Sequence, residues 1–204
     1  MNLALDLEST LATDELDRRT RGEADMERET AALLLLNQAL SQSPKNFFGI
    51  LARAVMQLTK AGSAGISLLN EADGRFVWPA VAGELKSLQG SGIPSDPSPC
   101  GTVLERRTSL LFIRPQRHFT NLESVHPPME EVLLIPFFVE GKAVGTIWAV
   151  SHDEAFHFCG EDRALLESLS GFASSAYLVL RNSGALQPLL EMQPPRPGNH
   201  ETYR

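Results

Sequence analysis

The chain has 204 residues, 43% hydrophobic and 21% charged, enough to bury one core without disulfides and leave some tail. A net charge of -7 with no basic stripe argues against a nucleic-acid partner, and two cysteines, Cys100 and Cys159, are too few for a disulfide framework. MNLALDLEST lacks the basic and apolar regions of a secretory leader, and AALLLL is far short of the roughly 20 residues of a membrane span, so a soluble, cytoplasmic protein is expected.

Residues 1–22 are charged and weakly patterned and read as a flexible leader. Residues 23–182 carry the pattern of one domain. From Glu23 to Leu40 the period is helical, with Met26, Leu33, Leu36 and Leu40 near one face. Ser43 and Pro44 then start a second helix to Lys60, whose apolar set is Phe47, Ile50, Leu51, Ala54, Val55 and Leu58. Next the period shortens. SAGISLLN and RFVWPAVA flank the turn signal Asp73-Gly74 and form a hairpin. After a Gly, Ser and Pro-rich loop, Ser98 caps a short helix that carries Cys100, Val103 and Leu104. SLLFI is a buried strand, and RPQRHFTNLESVHPPME is a loop. EVLLIPFFV and AVGTIWAVS flank EGK and are apolar on both faces, so their hairpin is central and covered on each side. The last helix, Glu161 to Arg181, presents Leu165, Leu169, Phe172, Ala173, Ala176 and Leu180 and stops at Asn182-Ser183-Gly184. Residues 183–204 read as a disordered tail, so the expectation is a stand-alone regulator, or a remnant of a larger sensor, with no kinase or cyclase domain attached. This order predicts an α+β fold: a central antiparallel sheet, terminal helices packed on one face, and loops and short helices covering the other.

LLIPFFVEGKAVGTIWAVSHDE followed by FCGEDRALLESLSGFASSAY resembles the C-terminal half of a GAF domain, and GSAGISLLN resembles its first core strand. The version SPCGTVLER…LF…P…RHF…PP is similar to GAF domains of bacterial sensor histidine kinases. The resemblance implies a non-catalytic sensory or regulatory domain that binds a small molecule or signalling partner and transmits through a helical homodimer interface. Its pocket lies between the sheet and residues 83–130, and a separate histidine kinase or other signalling protein is a candidate partner. Neither nucleic acid, membrane, cofactor nor metal is expected.

The pocket candidates are Trp78, Cys100, Leu104, Phe112, Arg114, His118, Phe119 and Trp148. Trp78, Phe112, Phe137 and Trp148 fall on predicted strands, where packing is the base expectation, and Trp148 lines a cavity only if alternation points it away from the helices. Arg114, Arg117 and His118 cluster in one segment and suit an anionic or polar ligand if the pocket faces them.

Cys100 sits in the first turn of its helix, where the dipole favours a thiolate. Its CGT resembles one thiol of the free methionine-(R)-sulfoxide reductases, an enzymatic branch of the family. That branch carries its nucleophilic cysteine just before the L-P strand, whereas this chain reads ESVHPPMEEVLLIP. Without that nucleophile, a small hydrophobic wall residue is the favoured reading of Cys100, and Cys159 reads as a helix cap. The spacing His152-x4-His157-x-Cys159 fits no zinc motif. The Asn-Lys of cyclic-nucleotide binders and the Cys-His of bilin binders are also missing. The dimer candidates are Leu33, Leu36, Leu40, Phe172 and Ala176, in a bundle of the first and last helices. A pure dimerisation scaffold is the third reading.

Overall fold

The computed structural model describes residues 6–20 and 26–193. Six strands form one antiparallel sheet in the order β3-β2-β1-β6-β5-β4. β1 (Ser63–Asn70) and β2 (Arg75–Gly83) make the first expected hairpin. β5 (Glu131–Val139) and β6 (Lys142–Ser151) make the second, with β1 and β6 at the centre. β4 (Leu110–Ile113) is one edge. The other edge, β3 (Gly92–Pro94), lies inside the stretch read as loop. Three residues give no alternation to detect.

α1 (Met26–Gln42), α2 (Phe47–Thr59) and α4 (Gly160–Asn182) share one face of the sheet. They pack Leu36, Phe47, Leu51, Val55, Leu169 and Ala173 onto Ile66, Leu133, Ile135, Phe137 and Ile147. Each fully buried Leu, Ile or Phe here contributes roughly 1.5–3 kcal/mol. A single three-residue turn, Pro44–Asn46, precedes α2, so the predicted start at Pro44 is the 3-10 entry to the helix. On α4 the buried positions are Leu166, Leu169, Ala173, Ala176 and Leu180, whereas Leu165 and Phe172 are only half-buried.

The second face carries a separate core that includes Phe76, Trp78, Cys100, Phe112, Phe119, Leu134 and Trp148. Strand alternation sorts the two faces: Ile147 and Ala149 meet the helices, while Trp148 and Val150 face away. On β2 that alternation is broken. The register slips between Ile66 and Leu68, a bulge that turns Phe76 and Trp78 to one face and Ala80 and Ala82 to the other.

Two expected boundaries change. Of the 1–22 leader, residues 6–20 form short 3-10 turns that pack on the β4 edge, with Leu16 fully buried. Ala12 N donates to the Leu111 carbonyl at 2.9 Å, and Leu111 N donates to Thr13 Oγ1 at 3.1 Å. The predicted tail likewise starts structured: after Gly184 at positive φ, α5 (Gln187–Leu190) follows with Leu186 buried against the helix-side core. Residues 194–204 of that tail, and 1–5 and 21–22 of the leader, lie outside the described residues.

Candidate functional site

Between the second sheet face and residues 84–129 lies a hollow of about 50 Å³. Its floor is Trp78, Val132, Leu134, Trp148 and Val150. Its roof is Leu85, Leu88 and Ile93 from one segment and Pro115, Leu122, Val125 and Met129 from another, with Pro99 and Cys100 of α3 (Pro99–Arg106) as a side wall. Beside the hollow, β1 offers small residues on this face, Gly65 and Ser67, with Leu69 further along the strand. Gly65 leaves room for the Trp148 indole, whose Cζ2 lies 2.3 Å from where a Cβ would stand. Trp148 Nε1 donates to Ser67 Oγ at 3.1 Å, and the two tryptophans meet edge to face at 6.3 Å.

One histidine helps to fasten both parts of the roof. His152 Nδ1 donates to the Pro128 carbonyl at 2.8 Å, since that oxygen can only accept, so Nε2 accepts from Ser63 Oγ at 2.9 Å. The Ser63 oxygen in turn accepts from Leu85 N at 3.0 Å, which ties both roof segments to β1. Three buried polar atoms among the described residues have no hydrogen-bond partner: Trp78 Nε1, Gln116 Oε1 and Asn121 Oδ1. One is on the floor and two are in the roof segment.

Of the eight predicted pocket residues, Trp78, Cys100 and Trp148 line the hollow. Phe112 and Phe119 pack edge to face at 5.9 Å in the surrounding core without lining it, and Leu104 is half-buried against the same core. His118 is a half-buried roof residue with its ring on Phe119. Arg114 corrects the anion expectation. Its guanidinium is committed to Glu130 and Glu154, which raise its pKa, and it does not line the hollow. The roof residues Leu85, Leu88, Ile93 and Met129 were not singled out in the sequence, because isolated apolar residues in an aperiodic loop carry no period.

Ser98 caps α3 as expected, its Oγ accepting from Gly101 N at 3.0 Å. Cys100 follows in the first turn, yet burial pushes its thiol pKa up, against the smaller pull of Ser67 and Thr146. Its Sγ lies 3.4 Å from Ser67 Oγ and 3.5 Å from Thr146 Oγ1. The helix dipole therefore loses to desolvation. Cys159 is the N-cap residue of α4 and donates its thiol to Asp162 Oδ2 at 3.2 Å. Burial, then Glu161, holds that thiol at a pKa of about 12. Both thiols are free and buried. At neutral pH the folded protein should resist thiol reagents, releasing two reactive cysteines only on unfolding. Raised thiol pKa values also mean that the unfolded chain ionises first, so stability falls as pH rises past the ordinary thiol value of 9.0. Rapid labelling of native Cys100 by a maleimide at neutral pH would contradict both statements.

Among the described residues no group of three or more His, Cys, Asp or Glu is placed to hold a metal. His152 belongs to the roof, and His157 Nδ1 lies 2.8 Å from Glu131. No helix among the described residues is long and apolar enough to cross a membrane.

The fold is an α+β sheet with helices on one face and, on the other, loops and short helices over an apolar hollow. The sequence profile of the GAF domain matches residues 41–176, and the chain belongs to the GAF domain family. Among solved structures it is similar to the GAF domain of a phosphoenolpyruvate-protein phosphotransferase from Acinetobacter, at 15% identity and TM-score 0.66, covering 79% of this chain and 97% of that one. The free methionine-R-sulfoxide reductase of Neisseria meningitidis gives 14% identity and TM-score 0.59 over 81% and 98%. The phycoerythrobilin-bound GAF domain of a cyanobacterial phytochrome gives 11% and 0.65 over 78% and 98%. At these identities the likeness is one of fold. No curated protein sequence matches the chain.

Proposed function

We propose that the chain is a non-catalytic GAF regulatory domain that takes a small molecule into the Trp78–Trp148 hollow and passes its occupancy to a signalling partner, with a separate histidine kinase as one candidate. The observation that supports this reading most is the hollow itself, apolar on floor and roof. Thiol chemistry of the sulfoxide-reductase kind is not favoured. Cys100 is buried with a raised pKa, and the position of the missing nucleophile lies in the roof near Val125. A polar or charged effector is also a poor fit, since no charged residue lines the hollow.

A homodimer is the accompanying proposal, on a surface that keeps Leu33 of the predicted seam but not Leu36 or Ala176. Leu36 and Ala176 are fully buried in the chain's own core and have nothing left to give a partner. Leu34 is 66% exposed and Leu35 52%, with Leu33 and Val179 also exposed. Consecutive exposed leucines on α1 form a patch that a second copy would cover. Native mass spectrometry of freshly purified protein reads both proposals together. A dimer carrying a mass lost on denaturation is the expected result, and Leu34→Glu should give folded monomers. Leu36→Glu should instead lower the melting temperature. A bare monomer that no small aromatic compound stabilises would sink both.

A further inference from the structure

We infer that residues 6–20 are a connecting strap, the path round the edge of the sheet by which the roof of the hollow acts on the helix face. This rests on the reading of the hollow as an effector site and names what carries its state away. The sheet stands between the hollow and the three long helices, and its side chains pack in two separate layers. Among the described residues outside the strands, only this segment packs on both layers. Leu7 and Leu11 lie against the hollow-side core, while Ala12 and Leu16 belong to the helix-side core.

Each end of the strap is fixed to a different face. At the hollow end, Glu8 pairs with Arg106 of α3, the helix that carries Cys100 in the side wall. Leu11 forms an antiparallel bridge with Phe112, whose ring meets that of Phe119 in the roof segment at 5.9 Å. At the helix end, Asp17 pairs with Arg163 in the first turn of α4, and Arg19 Nη1 donates to the Phe158 carbonyl at 3.1 Å. A Cβ on Gly160, the first residue of α4, would stand only 3.4 Å from the Leu16 carbonyl oxygen. The strap ends at Thr20, and α1 with its exposed leucines begins at Met26.

A connector must also be able to shift while the sheet stays whole. β1 and β6 are paired on both sides, whereas the strap meets β4 through the Leu11–Phe112 bridge, the Ala12 amide and Thr13 Oγ1. Its pairs with Arg106 and Arg163 have exposed carboxylates. Elements held so lightly open before the sheet does. Docked and released strap are therefore the two states, and a roof that displaces Phe119 and Phe112 biases the choice between them.

Hydrogen exchange on the whole protein tests this, with urea added so that all variants have equal global stability. Leu51→Ala is the control, since it removes a buried side chain of α2, which packs on β1 and β2. Phe119→Ala removes a ring from the roof segment. Exchange at Ala12, whose amide donates to the Leu111 carbonyl, should then be roughly tenfold faster than in the control, within the usual range of coupling between sites. Coupling is reciprocal, so Leu16→Ala should speed exchange at Phe119, whose amide donates to the Pro115 carbonyl, by a similar factor. Phe119→Leu and Leu16→Val carry the test if the alanine variants do not fold. Exchange equal to the control in both variants overturns the strap as a connector. That result leaves the hollow as an effector site, whose own failure is read separately by the missing bound mass.

Discussion

Replacing Gly65 by alanine should cost about 2–3 kcal/mol and lower the melting temperature by roughly 5–10 °C, as overpacking that also breaks a buried hydrogen bond does. The added Cβ would stand 2.3 Å from Trp148 Cζ2, 2.7 Å from Trp148 Cε2 and 2.7 Å from the Ala80 carbonyl. Backbone cannot yield in mid-sheet, where Gly65 pairs with Val81 on one side and Trp148 on the other. The indole is therefore what moves. In leaving, it gives up its bond to Ser67 and its edge contact with Trp78, so the floor of the hollow goes with it. Small-molecule binding in the hollow should be lost together with stability. Tryptophan fluorescence and thermal melting check the first step. A Gly65→Ala protein with unchanged emission and melting temperature would remove this account of the floor. A double variant with Trp148→Phe should recover part of the stability, since two of the three clashing atoms belong to the indole and the third, the Ala80 carbonyl, remains, and the cycle measures that coupling.

The same glycine shows where the sequence is legible and where it falls silent. β1, β2, β5 and β6 begin and end within a residue or so of the predicted runs, because short apolar runs bounded by Asp-Gly and Glu-Gly-Lys turns need only local physics. The Ser98 cap and the Gly184 stop are local in the same sense. The face on which Trp78 lies is another matter. A bulge between Ile66 and Leu68 decides it, with Trp78 and Pro79 opposite Ser67; a proline inside a strand marks such a bulge but does not say to which face its neighbours turn. Arg114 fails for a related reason. Its charge invites an anion, but its fate depends on Glu130, which the β4–β5 pairing brings alongside. The first-turn position of Cys100 likewise suggests a reactive thiol until the depth of burial is known. Composition names the groups; tertiary neighbours assign their work.

Residues 6–20 are the largest departure, and they lead to the second strong expectation. Removing the Glu131 carboxylate as Glu131→Ala should destabilise the protein by about 3 kcal/mol, as losing one partner of a buried charge pair does. The residue is 2% exposed and sits at the start of β5. Its oxygens accept from Arg19 Nη1 at 3.0 and 3.1 Å and from Phe158 N at 3.0 Å, with His157 Nδ1 at 2.8 Å. One side chain thus joins the N-terminal segment to the turn before α4. Other fastenings are weaker: Arg163 with Asp17 and Arg106 with Glu8 are pairs whose carboxylates are exposed, worth about 0–1 kcal/mol each. Loss of Glu131 should consequently release the segment ahead of the domain. Hydrogen exchange at Ala12 should rise, its amide no longer held by the Leu111 carbonyl. The β4 edge would then be open, and an open edge pairs with other chains, so aggregation should appear below the melting transition. Glu131→Gln separates charge from shape: it keeps an acceptor for Phe158 N and should lie between wild type and Glu131→Ala. If both variants protect Ala12 as the wild type does, the segment is held by Leu16 and its apolar contacts rather than by the carboxylate, and the edge of the sheet is guarded by packing alone.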